Sequence, residues 1–315
     1  MGMEISNARP PVVDFSILPE GCIANVLSLT SPRDACRLSL VASSFRSAAE
    51  SDAVWERFLP SDYHDILARA RDSPPSVSFS SKKELYLGLC DQPLIIDKGT
   101  KSFWLEKWSG KKCYMLAARD LTIVWGDTPM YWRWISLPEC STNGEVAELI
   151  RVCWLEIRGN ISTRLLSLET SYAAYLVFRS STGTYGFEYQ PAEGWVGISG
   201  DEGETRTVYL DPEEGGEQRH GYQHPIIPRR IGMFSNNIML RQPRESSGQY
   251  PKMRGDGWME IELGEYFSRG GEDGELGMSL MEVKGGDWKS GLIVQGIEIR
   301  PKEEGKIEIY SVGCS

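Results

Sequence analysis

Tyr114-Met-Leu-Ala-Ala-Arg-Asp-Leu-Thr-Ile-Val-Trp-Gly-Asp-Thr-Pro-Met-Tyr-Trp132 is the stretch that decides the fold of this chain. Its apolar residues fall in two short runs, 113–118 and 121–125, followed by an Asp127-Thr-Pro129 turn that puts the neighbouring aromatics at the end of a sheet. The same texture extends downstream. Arg151 to Ile157 alternates, with Cys153, Leu155 and Ile157 on one face. Tyr172-Ala-Ala-Tyr-Leu-Val-Phe178 is rich in aromatic and β-branched residues. Further runs at 205–210, 258–263, 276–284, 291–299 and 306–312 are separated by turns such as Gly183, Gly215-Gly216, Gly270-Gly271 and Gly285-Gly286. Many short strands at this spacing predict a sandwich or barrel. The polar, Gly/Pro-rich stretches 211–225 and 241–257 read as loops.

Upstream of Asp91 the pattern is helical, and after Gly2 only Gly21 and Gly88 interrupt it. Ile23, Val26 and Leu27 share one helical face. Thr30-Ser31-Pro32-Arg33-Asp34 restarts a helix: a hydroxyl N-cap, Pro in the first turn, then an acid at the positive helix end. The next helix puts Cys36 and Leu40, and offset by one Leu38 and Val41, at core spacing. Val54-Trp55 and Phe58-Leu59 form a third element closed by Pro60. His64, Ile66 and Leu67, then Leu85 and Leu89, predict two more short helices around the Ser/Pro-rich segment 73–81. Leu18, Pro19, Ile23, Leu27 and Pro32 exceed what about 45 residues need for their own core. They read either as a cap packed on the β domain or as a docking surface for a partner's helices.

Composition narrows the function. The chain has 315 residues, which predicts roughly two domains. Its 34 basic and 44 acidic residues give a net charge of −10, which argues against a protein that tracks nucleic-acid phosphates. No apolar run approaches the ~20 residues of a membrane-spanning helix. The N-terminus lacks a basic start followed by an apolar core, so no secretory signal is expected; Met1-Gly2 with Ser6 fits the permissive myristoylation pattern, with no polybasic stretch to reinforce it. Cysteines 22, 36, 90, 113, 140, 153 and 314 are odd in number and widely spaced, as expected of reduced thiols in the cytoplasm or nucleus. The Asn160-Ile-Ser162 sequon is then idle.

Catalytic signals are sparse. His64, His220 and His224 are the only histidines, and His220-x-x-x-His224 has half of a zinc spacing without paired cysteines. No phosphate-cradling Gly loop is followed by Lys and Ser/Thr. No metal or cofactor is expected. Ten tryptophans include a cluster at 104, 108, 125, 132 and 134. On residue type these are core aromatics or rings at a loop rim that stack on the apolar face of a sugar.

Two resemblances sharpen these readings. Leu18-Pro-Glu-Gly-Cys-Ile-Ala-Asn-Val-Leu-Ser-Leu-Thr-Ser-Pro-Arg-Asp-Ala-Cys-Arg-Leu38, then Val41 through Phe45 to Trp55, resembles the F-box. That implies a Skp-type adaptor of a cullin-RING ubiquitin ligase as partner, met by Leu18, Pro19, Ile23, Leu27, Pro32, Leu40 and Val41, with Trp55 anchoring the module internally. Tyr114 to Trp132, Glu145 to Gly159, Tyr172 to Phe178, Gly255 to Phe267, Gly271 to Val283 and Trp288 to Pro301 resemble the Nictaba-type phloem lectins in order. The implied architecture is α+β and multidomain: a small helical F-box at 15–60, a helical and loop linker at 61–111, and an antiparallel jelly-roll β-sandwich at 112–301. Members bind N-acetylglucosamine oligomers or N-glycan cores. Carried over by position, Trp125 and Trp132 stack on the sugar and Glu275 and Glu282 accept its protons. The expected function is a substrate receptor that recruits glycosylated proteins to the ligase without chemistry of its own. The alternatives are a sandwich that binds protein surface, or a glycosidase using Glu275 and Glu282 as its carboxylate pair.

Overall fold

A computed structural model describes residues 18–70, 79–137, 144–187, 191–198, 203–211, 248–269 and 273–302. The 306–312 run, the His220/His224 loop, the acidic segment 213–216 and the Met1-Gly2 pattern lie outside these residues. The chain divides into two compact units. The first holds the N-terminal residues to 68, residues 72–92 and the segment 104–111; the second holds 69–71, 93–103 and everything from 112 onward. The linker region 61–111 thus contributes to both.

Among the described residues six α-helices occupy the first unit: α1 (Glu20–Ser28), α2 (Pro32–Leu38), α3 (Ser43–Ala49), α4 (Asp52–Phe58), α5 (Tyr63–Ala68) and α6 (Lys82–Asp91). The restart of α2 follows the sequence signal: Ser31 caps it, its hydroxyl accepting from the Asp34 N–H at 3.1 Å, with Pro32 in the first turn. Ser81 caps α6 in the same way, and Glu84 reaches back to accept from the Ser80 N–H at 2.9 Å. The core gathers Ile23, Leu27, Val54, Trp55, Tyr86 and Leu89. Trp55 is fixed at both ends: its indole N–H donates to the Ala49 carbonyl at 2.7 Å, and its ring meets Phe58 edge-on at 5.6 Å. Leu40 and Val41 lie beyond the end of α2, in the link to α3, and are exposed rather than at core positions. Cys36 is exposed as well.

The second unit is a two-sheet, almost wholly antiparallel sandwich. Its strands are β1 (Leu94–Ile96), β2 (Lys101–Leu105), β3 (Lys112–Ala117), β4 (Thr122–Ile123), β5 (Trp132–Ser136), β6 (Glu145–Leu149), β7 (Leu155–Ser162), β8 (Thr170–Tyr185), β9 (Ala192–Ile198), β10 (Glu204–Val208), β11 (Lys252–Met253), β12 (Met259–Ser268), β13 (Glu275–Glu282) and β14 (Ser290–Pro301). One sheet runs β1-β2-β3-β14-β8-β12-β11, with β6 on β14 and β5 on β6; the other runs β10-β9-β13-β7-β4. Alternation decides which side chains enter the core. Leu155, Ile157 and Ile161 on β7, and Leu276, Met278 and Leu280 on β13, are buried, as are Leu176 and Phe178 on β8 and Ile297 and Ile299 on β14.

Two sequence expectations shift here. β7 begins at Leu155, so Cys153 precedes the strand and is exposed. Lys252-Met253, read as loop, pairs with Glu260 and Met259 as a short edge strand. The outer face of the larger sheet is charged and internally paired: Arg254 meets Glu298 at 2.7 Å, and Arg300 meets Glu260 at 2.6 Å while stacking on Tyr175. Among the described residues no helix is long and apolar enough to cross a membrane.

Candidate functional site

Three loops meet at one end of the sandwich. Residues 124–131 connect β4 to β5, residues 150–154 connect β6 to β7, and residues 283–289 connect β13 to β14. Backbone hydrogen bonds tie them together: Ile150 N–H to the Tyr131 carbonyl at 2.9 Å, Val124 N–H to Glu156 at 3.0 Å, and Val152 and Lys289 exchanging bonds of 3.0 and 2.8 Å. On this frame sit exposed Trp125, Met130, Ile150, Trp154 and Trp288. Such a concentration of large apolar side chains at a rim marks an interaction surface.

Trp125 is 57% exposed and its backbone has φ +62°, the left-handed region that a bulky side chain adopts at a cost of about 1–2 kcal/mol. The turn that imposes this is pinned from beneath. The Trp132 indole N–H donates to the Val124 carbonyl at 3.2 Å, and the Trp134 indole N–H donates to the Gly126 carbonyl at 3.0 Å. Trp132 is therefore buried, with 2% of its surface exposed, and offers no face to a ligand; its place at the start of β5 makes it a support for the Trp125 turn.

The two glutamates part company because they are seven residues apart on one strand. Glu275 belongs to the outward set of β13 and is exposed. Glu282 follows Leu276, Met278 and Leu280 on the inward set and is buried. It forms an ion pair with Lys289, whose side chain is 0% exposed, and accepts from the Gly285 N–H at 3.0 Å. Lys289 also donates to the Asp287 carbonyl at 2.8 Å. Glu282 therefore braces the 283–289 loop instead of facing a sugar. Seven residues of strand separate the two carboxylates by about 23 Å, whereas glycosidase pairs lie about 5–9.5 Å apart, so Glu275 and Glu282 are not such a pair. Among the described residues no three of His, Cys, Asp or Glu converge as metal ligands.

Trp154 and Trp288, absent from the sequence-derived site, join Trp125 at the rim. Trp154 donates to Glu156 at 2.7 Å, and the Arg151 guanidinium lies 5.8 Å from the Trp288 ring centre. Their placement depends on loops brought together across more than a hundred residues, which spacing along the chain does not reveal. The outer face of the smaller sheet carries a separate groove of about 500 Å³, lined by Arg158, Asn160, Glu193, Trp195, Thr205 and Ser279 among others.

In the helical unit the seven adaptor-facing positions divide. Leu18, Pro19, Leu40 and Val41 are exposed, the last two at 78% and 71%. Ile23, Leu27 and Pro32 are buried. Ile23 and Leu27, four residues apart on α1, occupy the face packed on α3 and α4, so they shape the surface from inside. Val26, at the edge of that face, and Leu29, just past the end of α1, are exposed.

The chain thus combines a helical unit carrying exposed aliphatic side chains with an antiparallel sandwich carrying an aromatic rim. Residues 15–61 match the F-box-like family model, and residues 111–301 match the model of phloem protein 2. The chain is 44% identical over 309 residues to the F-box protein PP2-B1 of Arabidopsis thaliana, covering 91% of this chain and 90% of that one. It is 46% identical to F-box protein PP2-B10 and 43% identical to F-box protein VBF of the same plant, covering 94% and 99% of those chains and 91% of this one in each case. The protein belongs to the F-box proteins of the phloem protein 2 family. Among solved structures, the CBM22-1 xylan-binding domain of Paenibacillus barcinonensis Xyn10C aligns at 12% identity and a TM-score of 0.28, covering 59% of this chain and 87% of that one.

Proposed function

We propose that this protein is the substrate-recognition subunit of an SCF-type ubiquitin ligase, in which the helical unit binds a Skp-type adaptor and the sandwich reads a glycan on the substrate. The observation that carries the adaptor half is the set Leu18, Val26, Leu29, Leu40 and Val41, all large, aliphatic and exposed on so small a unit. Burying one such side chain in a complex contributes about 1.5–3 kcal/mol, so losing two weakens binding by at least a hundredfold, on the order of 3 kcal/mol. The double variant Leu40→Asp/Val41→Asp, titrated against purified adaptor by calorimetry, should bind at least that much more weakly with an unchanged melting temperature. Equal affinity refutes the assignment.

For the sandwich, Trp125 is the stacking candidate, with Trp154 and Trp288 flanking it and Glu275 as an exposed acceptor on β13. Titration of the full chain with N-acetylglucosamine oligomers should change tryptophan emission saturably, and Trp125→Ala should abolish the response. Met130 and Ile150, which cannot stack on a pyranose as an aromatic does, favour a second reading in which the rim grips a protein surface; a silent titration with normal adaptor binding would select it. The five described cysteines are free thiols, which supports work in a reducing compartment, cytoplasm or nucleus.

A further inference from the structure

The groove on the outer face of the five-stranded sheet is built from strands rather than from the rim loops, and the pairing of β10, β9, β13 and β7 dictates its shape. Outward residues stand there in rows. Thr205, Trp195, Ser279 and Arg158 pair successively across the four strands, and beside them runs a second row of Gly197, Gly277 and Asn160. The two glycines leave nothing above the backbone, and Trp195 lies down into that space. A Cβ added at Gly197 would sit 2.8 Å from the Trp195 ring, and one added at Gly277 would sit 2.9 Å from it. Gly203 is closer still. One face of the indole is therefore seated on bare backbone, and the ring lies along the sheet, half-buried, lining the groove.

The groups around the ring are polar and short. Among the described residues the side chains of Asn160, Thr205 and Ser279 form no hydrogen bond, so their donors and acceptors are available. The charged groups are already matched. Arg158 pairs with Glu156 at 2.7 Å, and Glu193 pairs with Lys284. The groove thus combines a flat apolar platform, a ring of uncommitted neutral polar groups and no unmatched charge, and its volume of about 500 Å³ suits a small-molecule ligand. A pyranose has the complementary form, with flat C–H faces and a rim of hydroxyls. Equatorial linkages keep successive rings in one ribbon that can lie on a flat sheet, whereas axial linkages coil the chain away from it.

We propose that this groove is a second binding site, for an uncharged, equatorially linked oligosaccharide of the cellulose type, with Trp195 as its platform and Asn160, Thr205 and Ser279 as its hydrogen-bonding rim. It requires neither the adaptor interface nor Trp125. The test is calorimetric titration of the full chain with cellohexaose and the axially linked maltohexaose. The variants are Trp195→Ala, Asn160→Ala and Trp125→Ala, each checked for an unchanged circular dichroism spectrum. The expected result is binding of cellohexaose but not maltohexaose, weakened about tenfold or more by Trp195→Ala and measurably by Asn160→Ala, and retained in Trp125→Ala. Asn160 is exposed on its strand, so its variant keeps the test valid should Trp195→Ala fail to fold. Binding lost in Trp125→Ala but unchanged in both groove variants overturns this site and leaves the rim as the reader. Equal binding of maltohexaose overturns the flat-ribbon assignment. No binding of either probe overturns this site and leaves the rim and adaptor readings to their own tests.

Discussion

Replacing Lys289 by Met should unfold the sandwich at a markedly lower temperature. The Lys289 side chain is 0% exposed and that of Glu282 is 3% exposed, so neither charge is screened by water. With the ammonium gone, Glu282 keeps only the Gly285 N–H as a partner. Breaking a buried pair from one side costs about 3–5 kcal/mol, because an uncompensated charge is left behind. For a unit of about 200 residues each kcal/mol moves the melting temperature by roughly 2–4 °C, so a fall of about 6–20 °C is expected. Glu282→Leu alone should behave similarly, leaving the ammonium with the Asp287 carbonyl. The double variant Glu282→Leu/Lys289→Met removes both charges while keeping volume, and should return to within about 2 kcal/mol of the parent. Differential scanning calorimetry of the four proteins closes the cycle. Additive single effects, or a Lys289→Met variant that melts with the parent, would refute the buried pair and reopen Glu282 as a ligand-facing acid. Glu275→Gln, on the outward face, should leave the transition in place.

Further outcomes follow from local geometry. Trp125→Gly should be more stable than Trp125→Ala by about 1 kcal/mol, the reverse of the usual order, because only glycine is at ease at φ +62°; thermal melts of the two variants decide it. Asp97 accepts from Arg69 at 2.9 and 2.7 Å, and this guanidinium holds its carboxyl below the ordinary value. The pair's stabilisation is thus fully present above the unfolded carboxylate value of about 3.9 and is lost as pH falls through the lower folded value. Arg69→Met should reduce stability at neutral pH and flatten the acid limb of a stability–pH curve. Burial pushes the Cys90 thiol up to about 12, and Cys113 is buried. A maleimide at about pH 8 should label exposed Cys22, Cys36 and Cys153 well before either, as read by peptide mass mapping.

The strands were legible where aromatic and β-branched residues concentrate in one run, as in β8, or alternate with polar ones, as from Ile297 to Arg300 in β14, and the helices where capping residues mark their starts, as at Ser31. Boundaries failed where apolar residues continue past the element: Leu40 and Val41 keep helical spacing after α2 has ended. The site was harder to read. Resemblance brought attention to Trp132 and Glu282, yet whether each points out or in depends on strand phase. Glu282 follows three inward residues at period two, a signal present in the sequence once the strand's register is fixed. The Trp195 groove was hidden for a different reason, since its floor comes from Gly197 on β9, Gly277 on β13 and Gly203 in the link from β9 to β10.

β13 carries two instructions on alternate positions. Residues 276, 278, 280 and 282 maintain the interior, while 275, 277, 279 and 281 form part of an outer face. Substitutions at 275 and 281 are free to vary with little effect on folding, whereas Gly277 must stay bare beneath the Trp195 ring, so a library confined to 275 and 281 is a practical way to alter that face. Inserting or deleting a single residue has the opposite character. It exchanges the two sets at once, turning glycine and serine inward and leucine outward, and neither instruction survives. Descent along this strand is therefore expected to proceed by replacement at 275 and 281, with its length held constant.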